Sequence, residues 1–241
     1  MGEQVLVKDI DDCDVPDANL LITEDDTPVD NLASEKQQRL LVSSLYSSLQ
    51  HETFLAEANI GIYYTDLQPA IVPDVFLSLD AQVPENWWEK QNRCYMVWRF
   101  GKPPEVAIEI VSNKEGDELG KKLGIYEHMR VSYYIVYDRT HQLGEQVLRI
   151  YELRGRRYFE TTETWLEQVG LGLTLWQGQF EGREDVWLRW CYQDGVVVPT
   201  GDERASQAEH RASQAENRAQ LLAERLRAIG IDPDTLWKRL W

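Results

Sequence analysis

The sequence predicts an α/β domain: a central mixed sheet flanked by helices, with added antiparallel strands and a C-terminal helical tail. Leucines recur at every fourth position in residues 34–50, which is typical of an amphipathic helix. Nearly continuous apolar runs at residues 71–79 and 105–111 are typical of strands in the middle of a sheet. A second helical pattern at residues 116–129 leads into a β-branched and aromatic run at 132–137, which predicts another strand.

The order of these elements places the core of the domain over residues 34–138. Shorter strand patterns lie at residues 53–58, 61–65 and 94–100. Four later segments predict antiparallel strands that either extend the sheet or cover one side of it: residues 147–153, 157–161, 173–180 and 186–192. We therefore divide the chain into an acidic leader (1–30), an α/β domain (31–200) and a helical segment (201–241).

The composition is typical of a globular protein in a reducing compartment. Hydrophobic residues make up 43% of the 241 residues, no apolar run reaches transmembrane length, and the N-terminus lacks a signal-peptide pattern. The three cysteines are far apart, which indicates reduced structural thiols, and the four histidines show no metal-ligand spacing. We expect a cytoplasmic protein with no membrane partner.

The net charge of −16 opposes nucleic-acid binding, which draws affinity from Lys and Arg neutralising phosphates. Part of the acidic excess is local, because many of the acidic residues lie within the first 30 positions. An acidic run of this kind is typical of a solvated segment. The charge of the remaining chain is therefore less extreme than the total.

The C-terminal segment contains a seven-residue repeat. Its first copy begins at Arg204 and its second at Arg211, and apolar residues continue the spacing of three and four as far as Leu226. This spacing is the a/d pattern of a coiled coil. Because alanine-rich seams bury little surface, a weak coiled coil or helical hairpin and a helix folded back on its own domain both stay open.

Two carboxylates interrupt the apolar strand patterns. Asp74 lies in the run 71–79 and Glu109 in the run 105–111, where a charge is costly to bury unless it is paired or binds a metal. Strand alternation puts Glu109 on the same face as the small Ala107. Two carboxylates, with the main-chain carbonyl of Ile110 as a third ligand, suit Mg²⁺, which promotes attack on a phosphodiester. The pattern predicts a metal-dependent phosphodiesterase.

Two lysines compete for a third role in this site. At 100° per residue, Lys122 lies on the same stripe as Leu119, Leu123 and Tyr126, whereas Lys121 projects from the opposite face. Lys122 is therefore the lysine that points towards the carboxylates, where it would orient water and offset charge. The alternative is a lysine that covers apolar surface with its aliphatic stem. The two carboxylates favour the catalytic interpretation.

Four motifs together resemble the Uma-two family of endonucleases, within the PD-(D/E)xK nuclease superfamily. They lie in order between residues 30 and 155: Pro73-Asp74, Ile108 to Ser112, Glu118 to Tyr126, and Ser132 to Asp138. The resemblance implies a restriction-endonuclease-like core, with central mixed sheet and flanking helices. It also implies hydrolysis of DNA that depends on Mg²⁺, with Mn²⁺ as a substitute.

The resemblance also implies roles for particular residues. Asp74 and Glu109 match the metal-binding acids. The superfamily's lysine usually follows the second acid by two residues, where this chain has Val111, but in the Uma-two pattern it moves to the next helix and matches Lys122. Glu35 matches an acid that some members place on the first helix. A homodimer, formed through the nuclease domain or the C-terminal helix, is a further expectation.

Two other functions stay open from the sequence. The first is a catalytically inert nuclease fold that binds a protein partner or oligomerises, which the negative charge favours and the retained acids and lysine disfavour. The second takes Trp87, Trp88 and Trp98 as a platform for ligands or stacked bases. Tryptophans more often anchor cores and interfaces, which argues against that platform.

Overall fold

The computed structural model describes residues 31–50, 52–113, 116–230 and 232. The acidic leader predicted for residues 1–30 lies outside the described residues. The chain divides into two compact units after Val198, and each is described by itself. No helix in the described ranges is long and apolar enough to span a bilayer.

The first helix, α1 (Leu32–Ser48), begins two residues before the predicted start. The side chain of Asn31 caps it by accepting hydrogen bonds from the backbone N–H groups of Ala33 (2.9 Å) and Ser34 (3.0 Å). Leu41 and Leu45 on its apolar face are fully buried. This face anchors the helix to the rest of the first unit.

A six-stranded mixed sheet forms the centre of the first unit. Its strands lie in the order β1-β3-β5-β6-β7-β8, and only the central pair β5 and β6 is parallel. The bounds are β1 Phe54–Ala58, β3 Val75–Leu79, β5 Val106–Ile110, β6 Tyr133–Tyr137, β7 Leu148–Arg154 and β8 Arg157–Thr161. The first two of the four later strands therefore extend the sheet.

Three later strands form a separate antiparallel sheet: β9 Trp165–Leu166, β10 Leu171–Phe180 and β11 Arg183–Cys191. A two-residue turn joins β10 to β11, and both of its residues, Glu181 (φ 45°) and Gly182 (φ 77°), have positive φ. Such a turn matches the twist of the flanking strands. β11 packs on α1, where the Gln37 amide pairs with the backbone of Leu188 and the Trp190 indole donates to the carbonyl of Leu41.

Short elements complete the first unit. A parallel pair joins β2 (Ile62–Tyr63) to β4 (Tyr95–Met96), and the chain then forms the single turn α2 (Val97–Phe100). A 3₁₀ turn lies at Lys90–Asn92, and a π-helical turn at Glu118–Lys122 runs into α3 (Leu123–Met129). The strand predicted over residues 94–100 is thus only two residues long, because the chain turns helical at Val97.

Two apolar cores lie on the two faces of the six-stranded sheet. Val106 and Ile108 of β5 belong to the core that includes α1 and the smaller sheet, whereas Ala107 belongs to the core that includes α3. This alternation is the one that the sequence predicted. Glu109 consequently points to the α3 side of the sheet.

The second unit contains one long helix, α4 (Gly201–Ala228). Thr200 and Glu203 cap its N-terminus reciprocally, since the Thr200 hydroxyl accepts from the Glu203 N–H and the Glu203 carboxylate from the Thr200 N–H. No side chain of α4 is buried.

Candidate active site

Glu109 is a buried carboxylate at the centre of the six-stranded sheet. Its side chain is 1% exposed and both of its oxygens have donors. The Lys122 ammonium donates to Oε2 over 2.7 Å, and the Tyr126 hydroxyl donates to Oε1 over 2.8 Å. Lys122 ends the π-helical turn before α3, and Tyr126 lies within α3. The Glu109 carboxylate therefore connects strand β5 to both of these helical elements.

Asp74 lies immediately before β3 rather than within it, because regular pairing begins at Val75. Continuing the antiparallel register of Val75 with Ile108 by one residue brings Asp74 beside Glu109. The Asp74 carboxylate accepts from the Ile110 N–H at Oδ2 (2.5 Å) and from the Gln38 amide at Oδ1 (3.0 Å). The Ile110 backbone and the Gln38 side chain on α1 therefore hold the Asp74 carboxylate in one orientation.

The backbone N–H of Ile110 points towards the Asp74 carboxylate. In an extended strand the N–H and C=O of one residue point to the same side. The Ile110 carbonyl is therefore directed to the β3 edge of β5, where Asp74 lies. The carbonyl and the Asp74 carboxylate therefore lie on the same edge of β5, next to Glu109.

A π-helical turn presents Lys122. The turn begins after Asp117, which has a positive φ of 52° and accepts a hydrogen bond from the Lys121 N–H at 2.9 Å. A Cβ at Gly120 would lie 2.2 Å from Oδ1 of Asp117, so a side chain there would displace this carboxylate from the Lys121 N–H. Such turns are frequent at functional sites. Lys121 is exposed, whereas Lys122 points to Glu109.

Burial dominates the electrostatics of the site. Desolvation raises the pKa of Glu109 to about 8, and the charge of Asp74 adds to the rise while Lys122 opposes it. Burial acts to lower the pKa of Lys122, but attraction to Glu109 outweighs it and raises that pKa. Lys122 therefore stays charged at neutral pH, and the two carboxylates repel each other.

This donor set fits a hard divalent cation. Oxygen atoms of Asp74, Glu109 and Ile110 are the ligand type that Mg²⁺ and Mn²⁺ prefer, and a cation between the carboxylates would relieve their repulsion. Within the described ranges, no group of three or more His, Cys, Asp or Glu side chains could hold a metal ion. The protein ligands here would thus be two carboxylates and a backbone carbonyl, a small set that leaves positions for water.

The structure brings three of the predicted side chains together and separates the fourth. Asp74, Glu109 and Lys122 form the cluster, but Glu35 pairs with Arg39 one turn along α1 at the surface. Gln38, one turn further along α1, is the side chain whose amide donates to Asp74.

Sequence reasoning gave no role in the site to three contributors to the cluster. Gln38 and Tyr126 lie on the predicted inner faces of their helices, so helical phase alone could have selected them. Glu118 is 6% exposed, with its Oε1 3.8 Å from the Lys122 ammonium. Its Oε2 is buried and has no hydrogen-bond partner among the described residues. Nothing in the sequence distinguishes Glu118 from an ordinary exposed helical glutamate.

The tryptophans considered as a platform divide into two environments. Trp87 (56% exposed) and Trp88 (78% exposed) line an apolar cavity of about 490 Å³ together with Phe76, Tyr95 and other residues. Trp98 is partly buried beside Met96. The cavity contacts β1 and β3 on the same sheet face as Glu109.

A mixed sheet with an acidic pair and a helical lysine is the arrangement expected of a restriction-endonuclease-like nuclease. Residues 24–176 match the model of the Uma2 family, described as "Putative restriction endonuclease", over more than half of the chain. The chain therefore belongs to the Uma2 family. Among solved structures it is similar to a "putative nuclease" from Anabaena variabilis at 13% identity, covering 58% of this chain and 72% of that chain with a TM-score of 0.39. No curated protein matched.

Proposed function

We propose that this protein is a Mg²⁺-dependent endonuclease that hydrolyses phosphodiester bonds in DNA. The observation that carries the proposal is the buried Glu109, which lies beside Asp74 and 2.7 Å from the Lys122 ammonium. Ionised Asp74 and Glu109 repel each other, and a bound divalent cation would relieve that repulsion. The family description supports DNA as the substrate class.

Asp74, Glu109 and the Ile110 carbonyl would hold the ion. When bound, a divalent cation neutralises phosphate charge and lowers the pKa of a coordinated water. Mg²⁺ is commonly held by one or two carboxylates and keeps several waters, which matches this small ligand set. Mn²⁺ accepts the same oxygen ligands and is the expected substitute.

Lys122 supplies a fixed positive charge. Its ammonium is anchored to Glu109 Oε2 and, having three N–H groups, can also donate to a water or to a phosphate oxygen. A cation held before the reaction begins stabilises the negative charge that develops on the phosphate without reorganising. This is the catalytic role that we propose for Lys122.

Tyr126 and Gln38 are positioning residues. The Tyr126 hydroxyl holds Oε1 of Glu109, so that the carboxylate cannot rotate, and burial raises its pKa well above the ordinary value, which keeps it a donor. The Gln38 amide fixes Asp74 in the same way. Both residues reduce the freedom of the metal-binding oxygens.

The test is Mg²⁺-dependent cleavage of supercoiled, linear and single-stranded DNA by the purified protein. We expect Asp74→Asn and Lys122→Met each to lower the rate by about 10²-fold or more. Lys121→Met is the matched control, since this neighbouring lysine is exposed.

Two results would contradict the proposal. If the wild-type protein neither cleaves any of these DNA forms nor binds Mg²⁺ by calorimetry, the chain is not a metal-dependent nuclease. If Lys122→Met cleaves as fast as Lys121→Met, the lysine has only a structural role.

A further inference from the structure

We propose that α4 binds α4 of a second copy of this chain as a parallel, in-register coiled coil. The helix is 28 residues long, is capped at its N-terminus, and buries none of its side chains. An isolated helix of polar surface gains little from its own hydrogen bonds and is marginal in water. A partner surface would supply the tertiary packing from which most helices in proteins gain their stability.

The partner surface is a continuous heptad seam on α4. Its positions alternate by three and four over the helix: Ala205, Ala208, Ala212, Ala215, Ala219, Leu222 and Leu226. This strict period keeps one stripe facing a second helix along its whole length. The seam is alanine-rich at its start and gains leucines at its end, where Leu222 is 52% exposed.

The charges beside the seam identify the partner as a second copy. With Ala205 at position a, the g positions are Arg204, Arg211, Arg218 and Arg225, and two of the e positions are Glu209 and Glu216. One flank is therefore basic and the other contains acids. Because each helix carries both the basic flank and the acidic flank, two copies of α4 can pair with opposite charges facing each other.

The same charges select the parallel orientation. In a parallel pair, a g residue faces the e residue five positions later on the other helix. Arg204 then meets Glu209 of the partner subunit, and Arg211 meets Glu216 of the partner subunit. An antiparallel pair would instead set g against g, so that arginine faces arginine, which is repulsive. Charge complementarity is thus satisfied in one orientation only.

The expected association is reversible. Each exposed ion pair contributes about 0–1 kcal/mol and is screened by salt, and the alanines bury little area. Most of the apolar contact comes from Leu222 and Leu226 at the C-terminal end. The dimer should therefore weaken as the salt concentration rises.

Sedimentation velocity on the full chain tests the seam. Leu221→Glu and Leu222→Glu form a matched pair, because these neighbours are 55% and 52% exposed and only Leu222 lies on the seam. Glutamate is a good helix former, so neither change disrupts the helix by propensity. We expect dimers for the wild type and Leu221→Glu, and monomers for Leu222→Glu. A monomeric wild type at its highest soluble concentration, or equal association of the two variants, would overturn the proposal.

A cross-linking experiment tests the orientation. In a parallel, in-register dimer the two copies of position 208 are adjacent, whereas in an antiparallel pairing of the full helices they lie roughly 20 Å apart at 1.5 Å per residue. Under mild oxidation we expect disulfide-linked dimers from Ala208→Cys and not from Ser206→Cys, which lies outside the seam. Oxidised wild type measures the background from its own cysteines. Absence of the Ala208→Cys cross-link in a protein that dimerises would rule out the parallel arrangement.

Discussion

The Glu109→Gln substitution should remove a pH-dependent loss of stability from the metal-free protein. The folded-state pKa of Glu109 is about 8 and its ordinary value is 4.5. Because the folded value is the higher one, Glu109 contributes stability that is fully present below pH 4.5 and is lost as the pH rises to about 8. Glutamine at this position cannot ionise, so the loss should disappear.

The size of this effect follows from the same pKa difference. One pKa unit corresponds to about 1.4 kcal/mol, so ionising Glu109 inside the fold costs roughly 3–5 kcal/mol. Lys122 already reduces this cost, since it lies 2.7 Å from the carboxylate. The residual cost is the amount that a bound divalent cation would be expected to offset.

Urea unfolding followed by tryptophan fluorescence, in EDTA at about pH 5 and about pH 9, measures the difference. The free energy of unfolding should fall between the two conditions by a larger amount in the wild type than in Glu109→Gln. Glu127→Gln is the control, because hydrogen bonding from the Tyr158 N–H lowers the pKa of Glu127 and its effect lies at lower pH. An equal fall in wild type and Glu109→Gln would refute the reasoning.

Two further predictions concern the metal and the core. Mn²⁺ should raise the melting temperature more at about pH 8 than at about pH 6, because the carboxylates of Asp74 and Glu109 must both be ionised to bind it. The Asp74→Asn substitution should abolish this rise in melting temperature. A rise that persists in the variant would place the metal elsewhere. Leu41→Ala should lower the free energy of unfolding by about 2–5 kcal/mol, because the side chain of Leu41 is fully buried and its loss leaves a cavity. Leu67→Ala is the control, since Leu67 is exposed.

The faces of individual elements could be predicted from the sequence. Alternation in β5 correctly assigned Val106 and Ile108 to one core and Ala107 to the other. Helical phase selected Lys122 over Lys121, and Lys122 is the lysine that contacts Glu109. These predictions succeed because side-chain direction within one helix or strand follows from a fixed period.

Other features depended on contacts distant in sequence. The run 71–79 reads as one strand, yet regular pairing begins only at Val75, so that Asp74 lies just before the strand and its carboxylate accepts from the Ile110 N–H. The first-helix side chain in the site is Gln38, and Glu35 lies at the surface. Only the packing of α1 against the sheet could show which of these two polar residues faces the site.

The sequence by itself determined which residues are charged in apolar surroundings and which way each points from its own element. The tertiary structure decided that Asp74 lies beside Glu109, that Glu118 is buried near Lys122, and that β9–β11 form a sheet separate from β1-β3-β5-β6-β7-β8. The reason is physical. Local periodicity fixes the direction of a side chain, whereas strand register and helix docking are set by the mutual packing of segments that lie far apart along the chain.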